Sequence, residues 1–218
     1  MYKKLIIKKT ADYIKSRLYG ESSGHDWWHV YRVWKTAIKI GKQECADLFV
    51  VELAALLHDI ADYKLNNGNK LIGPKMAREW LAKLKVDKKI INHVCEIVKD
   101  IDFKGARINT SMRTKEGKVV QDADRLDAMG AIGIARTFAF GGNKDRLIYD
   151  PNIKPESLKH FEQFKIDSRG PTINHFYEKL LHIKKLIYTD TAKVIAEERH
   201  RFMEDYLDRF HKEWKQLK

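Results

Sequence analysis

Apolar residues return every third or fourth position along almost the whole of this 218-residue chain, and the alternation of a half-buried strand is nearly absent. With only four prolines to interrupt it, that periodicity predicts an all-α fold. Helices are expected over roughly residues 3–18, and from His25-Asp26 onward with Trp27, Val30, Trp34, Ala37 and Gly41 facing inward. Further helices are expected over 46–58, from Pro74 through Leu84, and from an Asp87 cap to about Phe103. The next runs from near Lys118 to about Phe140 with Gly130 and Gly133 tolerated inside it, and two more close the chain at 174–189 and 191–214. Segment 46–58 is apolar nearly all round, which marks a buried helix. Between 141 and 172, Gly-Gly, Asp-Pro, Lys-Pro and Gly-Pro pairs break the pattern, so a long irregular insertion is expected there, with a short helical stretch near 157–164.

One domain over 1–218 is the simpler organisation, with a core of about 20–140 and the helices of 174–214 packing on it; a boundary near 141 is only weakly marked. Forty-two Lys and Arg against thirty Asp and Glu give a formal charge of +12, which favours anionic partners such as nucleotides and, second to them, nucleic acid. Cys45 and Cys95 each sit in an apolar periodic stretch, far from any paired spacing, which argues against a disulfide framework or a thiolate metal site. No apolar run approaches a membrane span, so the expectation is a cytoplasmic protein, monomer or homodimer, with no membrane partner.

His58-Asp59 closes the most apolar helix, where an imidazole and a carboxylate are costly to bury unless something satisfies them. A metal ion would do so. An ordinary helix end, with a dipole-favoured histidine and an aspartate in water, would equally account for the pair. His29 lies four residues after His25 on one helical face; that spacing suits a shared metal, and two histidines among three tryptophans also suit a packed core. Asp124 flanks the inward face defined by Val119, Val120, Ala123 and Leu126 and calls for a cation, either a metal or a nearby Arg or Lys. Asp122 is expected to point away, and Asp127 to orient a ligand or meet solvent.

Taken in order, His29, the His58-Asp59 pair and the distant Asp124 resemble the signature of the HD-domain metal-dependent phosphohydrolases. The text around them is similar to bacterial HD proteins of the YedJ/YpgQ type, which look like nucleotide pyrophosphohydrolases. It comprises His25-Asp26-Trp27-Trp28-His29-Val30-Tyr31-Arg32-Val33, Leu57 to Asp62, Phe103-Lys104-Gly105, Gln121 to Ala128 and Phe176 to Leu180. The resemblance covers roughly residues 20–210 and implies an HD-domain helical bundle in which His29, His58, Asp59 and Asp124 hold one divalent ion. Two imidazoles and two carboxylates suit Mn²⁺ first, with Ni²⁺, Co²⁺, Fe²⁺, Mg²⁺ and Zn²⁺ as other candidates. Two-metal relatives carry further histidines between the pair and the last Asp; this chain has only His93 there, which is read as a packing or ligand-supporting residue, and the site as mononuclear.

Asp62, three residues after Asp59, is the candidate general base, with Lys64 beside it. Lys104, Arg113, Lys179 and Lys184 are candidate phosphate contacts. The implied activity is hydrolysis of (deoxy)nucleoside triphosphates to monophosphate and pyrophosphate. The alternatives are a nucleotide monophosphatase or phosphodiesterase on the same metal, and a nucleic-acid or nucleotide binding module without catalysis.

Overall fold

Aspartates set the starts of three helices in the computed structural model, which describes residues 2–18, 26–61, 71–101, 112–156 and 170–216. Asp26 caps α2 (Trp27–Gln43), Asp47 caps α3 (Leu48–Leu57) and Asp87 caps α5 (Lys88–Asp100), each side chain accepting a backbone N–H that the first turn would otherwise leave without a partner. The other helices are α1 (Tyr2–Leu18), α4 (Ile72–Lys83), α6 (Lys115–Asp127), α7 (Gly130–Asn143), α8 (Asn174–Glu178) and α9 (Asp190–Trp214), with a 3₁₀ segment at Leu180–Leu186. Among the described residues there is no strand, so the all-α expectation holds.

These elements form two compact units, one reaching Asp124 and the other starting at Arg125. In the first, α3 is the central rod: Phe49, Val50, Val51 and every residue from Leu53 to Leu57 are buried, and α1, α2 and α5 pack around it. Burying such a side chain stabilises by about 1.5–3 kcal/mol, which explains why an apolar helix occupies the middle. α1 is stapled to α4 by Trp80, whose ring stacks on Tyr13 at 3.8 Å while its indole N–H donates to Thr10 at 3.0 Å. α6 begins at Thr114, whose hydroxyl accepts the Gly117 N–H, and Glu116 of its first turn accepts the backbone N–H of Asp47.

In the second unit α9 packs against α7 and the 3₁₀ segment. One long helix expected from Lys118 to Phe140 is in fact two, α6 and α7, broken at Ala128–Met129. Gly130 has φ +68°, a conformation that stops an α-helix, and Gly133 lies so close to the end of α6 that a Cβ there would fall 2.3 Å from the Ala128 carbonyl oxygen. The glycines make a junction; they are not guests within a helix. The helix expected over 174–189 also divides, because Lys179 leaves helical geometry (φ −139°, ψ −57°) and the chain continues as a 3₁₀ helix. Its Leu180, Ile183 and Leu186 recur every third residue, which matches three residues per turn. Within the expected irregular insertion, 144–156 carries no helix, and the helical stretch expected at 157–164 lies outside the described residues.

Candidate metal centre

α3 is built of side chains that must leave water, so whatever follows Leu57 emerges at the end of a buried rod. His58 keeps helical dihedrals as its cap residue, and its Nδ1 donates to the Ala55 carbonyl at 2.8 Å. A carbonyl oxygen can only accept, so the proton is fixed on Nδ1 and a neutral ring has its lone pair on Nε2, pointing inward. His29 is presented by the first turn of α2. Its backbone N–H is the one that the Asp26 carboxylate accepts, at 2.8 Å, and its ring is 1% exposed.

The two Nε2 atoms stand 3.3 Å apart. Asp59 Oδ2 lies 3.3 Å from His29 Nε2 and 3.4 Å from His58 Nε2, and Asp124 Oδ1 lies 3.4 Å and 3.8 Å from the same two nitrogens. Ligands bound at about 2.1 Å with angles of 90–109° are separated by about 3.0–3.4 Å, so the 3.3–3.4 Å separations fit one shared centre, and the 3.8 Å from His58 to Asp124 is wider than that range. One donor atom from each of His29, His58 and Asp59 lies within 4.8 Å of the other two, while Asp124, on α6, approaches the two histidines at 3.4 and 3.8 Å and lies outside that trio. The imidazoles form a buried floor, while the Asp59 and Asp124 side chains are 18% and 28% exposed, which leaves a side open to solvent. The donor set of two nitrogens and two carboxylates suits a hard or borderline divalent cation.

α6 reaches this centre as a helix buried on nearly all sides. From Val119 to Asp127 only Asp124 escapes full burial. Asp122, expected to point away from the core, is therefore completely buried. Asp127 does not meet solvent: it is buried and receives Arg136 Nη1 at 2.9 Å. His93 bonds Thr114 Oγ1 at 2.9 Å, tying α5 to the start of α6, a packing role.

Asp62, Lys64 and Lys104 lie outside the described residues. Arg113 is exposed just before the Thr114 cap, about 16 Å along the α6 axis from Asp124. Lys184 pairs with Glu197 at 3.0 Å. Lys179, half-buried at the end of α8, has a different visible consequence: burial first, then the charges of Lys179 and Arg146, push the His175 imidazole down to about 3. A histidine held neutral in the fold stabilises it fully above the ordinary value near 6.5, and that contribution is lost as pH falls from about 6.5 toward 3, by at most on the order of 5 kcal/mol. His175→Gln should therefore flatten the dependence of the urea midpoint on pH in that window; parallel curves for the two proteins would refute the assignment.

Asp26 is the supporting residue that sequence reasoning left without a role, although an aspartate just ahead of an apolar-periodic segment is itself a cap signal. Asp26→Ala is expected to cost about 1 kcal/mol of stability through loss of the cap. Because the same bond fixes His29, metal affinity should drop as well, while Asp26→Ser restores both; calorimetric metal titration and thermal melts check this.

Residues 27–129, which contain all four candidate ligands, match the HD domain family. YpgQ of Bacillus subtilis is 39% identical over 202 residues, covering 92% of this chain and 90% of that protein. The crystal structure of an HD-superfamily hydrolase from Bacillus thuringiensis shares 46% identity over 98% of both chains, with a TM-score of 0.78. The structure of Bacillus subtilis YpgQ in complex with ADP superposes with a TM-score of 0.78 at 36% identity, covering 98% of this chain and 97% of that one.

Proposed function

The chain belongs to the HD-domain superfamily of metal-dependent phosphohydrolases, and we propose that it hydrolyses (deoxy)nucleoside triphosphates between the α and β phosphates, releasing monophosphate and pyrophosphate. The observation that carries this reading is the convergence of His29, His58, Asp59 and Asp124 on one half-open centre. The nucleotide class is supported by a relative of the same fold that binds ADP.

His29 and His58 Nε2 and one oxygen each of Asp59 and Asp124 would hold a single divalent ion, Mn²⁺ by preference. When bound, such an ion acidifies a water and polarises a phosphoryl oxygen. The two carboxylates bring negative charge that balances the cation, and the Ala55 carbonyl keeps the His58 ring in the ligating tautomer. Asp62, following Asp59 by three residues, takes the proton of the attacking water. Charge on the phosphates is neutralised by Lys or Arg side chains, for which Lys64, Lys104, Arg113 and Lys179 are the candidates.

Protein purified without chelator is first analysed for metal, then incubated with a panel of ribo- and deoxynucleotides. Equimolar monophosphate and pyrophosphate supports the proposal. Orthophosphate alone points to a monophosphatase, cleavage only of diesters to a phosphodiesterase, and no turnover with any metal overturns the catalytic reading.

A further inference from the structure

α2 serves the metal centre with one face and carries a different chemistry on another. Its seventeen residues include Arg32, Lys35, Lys39 and Lys42 and no acidic residue. At 100° per residue, Trp28, Lys35, Lys39 and Lys42 fall within an arc of about 60° on the helix surface, and all four are exposed, Trp28 by 57%. They form one stripe about 21 Å long. Tyr31 and Arg32 flank it, half-buried.

The aromatic groups are arranged with the cations. The Trp28 ring meets Tyr31 edge-on at 5.8 Å, Tyr31 meets Trp34 edge-on at 6.1 Å, and the Lys35 ammonium lies 4.1 Å above the Trp34 ring and 5.3 Å above Tyr31. Two neighbouring carboxylates are already engaged: Asp26 caps α2 and Glu52 accepts the Trp34 indole N–H at 2.9 Å. Trp28 thus leaves a large aromatic face in water at one end of a lysine stripe.

We infer that this face of α2 is a binding surface for single-stranded nucleic acid, with Trp28 stacking on a base and Lys35, Lys39 and Lys42 meeting successive backbone phosphates. Stacking on an aromatic ring combined with tracking of the backbone by cations is the pattern by which single strands are held without sequence preference. The exposed aromatic favours a strand with accessible bases over a duplex, whose bases are stacked away from such a ring.

The test uses the full chain and fluorescein-labelled oligothymidylate, followed by anisotropy across a salt series. The wild type should bind with an affinity that falls with salt at a log–log slope of about −2, for three phosphates neutralised. The triple variant K35Q/K39Q/K42Q should lose that slope while keeping nucleotide hydrolysis, and Trp28→Ala should weaken binding by about ten-fold while Trp28→Phe retains most of it. His58→Ala should bind oligothymidylate as the wild type does, because the stripe lies on a different face of α2 from His29. Unchanged binding in the triple variant overturns the inference. So does loss of binding in His58→Ala, which would place the strand at the metal centre, and so does tighter binding of phosphatidylserine vesicles than of oligothymidylate, which would make the stripe a membrane-facing surface.

Discussion

His58→Ala is expected to lower nucleotide hydrolysis by on the order of 10³-fold and to leave the purified protein with well under one equivalent of metal. In the proposed site the buried imidazole would supply one of four donor atoms, and its Nδ1 bond to the Ala55 carbonyl holds the ring in one tautomer and one orientation. Loss of that donor removes Lewis-acid stabilisation of several kcal/mol, and each 1.36 kcal/mol is a factor of ten in rate. Asp59→Asn, which keeps side-chain size and removes charge, should reproduce most of the effect; the pair separates ligation from packing. Mass spectrometric metal analysis gives the stoichiometry and circular dichroism checks the fold. Chelator should lower the melting temperature of the wild type and not of His58→Ala, because an ion at a hundred times its dissociation constant adds about 2.7 kcal/mol to the folded state. A His58→Ala protein that binds a full equivalent of metal and turns over at the wild-type rate would remove His58 from the site.

The four candidate ligands differ in how visible they are before folding. His58-Asp59 stands where an apolar helix gives way to polar residues, so its tension with burial can be read directly. Asp124 is legible for a related reason, as a carboxylate beside an inward face. His29 is not, because a histidine next to tryptophans on a helix is what a core looks like too; only its place in the ordered family pattern singled it out. Convergence itself is tertiary. Nothing in the spacing of 29, 58 and 124 states that the nitrogens and oxygens will stand 3.3 to 3.8 Å apart. The burial of Asp122 and Asp127 is not legible in the sequence because a helix pattern assigns one inward face, whereas α6 is enclosed from Val119 to Asp127 on every side but that of Asp124. Burial of polar residues on such a helix follows from what surrounds it, and a local period contains no information about that.

Gly133→Ala and Gly142→Ala, the same change nine residues apart in α7, are expected to shift stability in opposite directions. A Cβ on Gly133 would lie 2.3 Å from the Ala128 carbonyl oxygen and 2.4 Å from its carbon, contacts that no side-chain rotation relieves because both are backbone. The junction cannot drift apart freely, since Ala128 N–H donates to Arg125 O at 3.2 Å, Arg199 donates to the Leu126 carbonyl, and Arg136 holds Asp127. The cost should exceed about 4 kcal/mol, in the range reserved for overpacking and backbone strain, and at about 2–4 °C per kcal/mol for a chain of this size the melting temperature should fall by roughly 10 °C or more. A Cβ on Gly142 meets nothing within 4 Å. There the substitution only gains helix propensity and restricts the unfolded chain, worth about 0.5–1 kcal/mol in favour of the fold. Thermal melts of the two variants decide the matter, and a Gly133→Ala protein melting within about 2 °C of the wild type would show that α6 and α7 do not meet in so tight a turn.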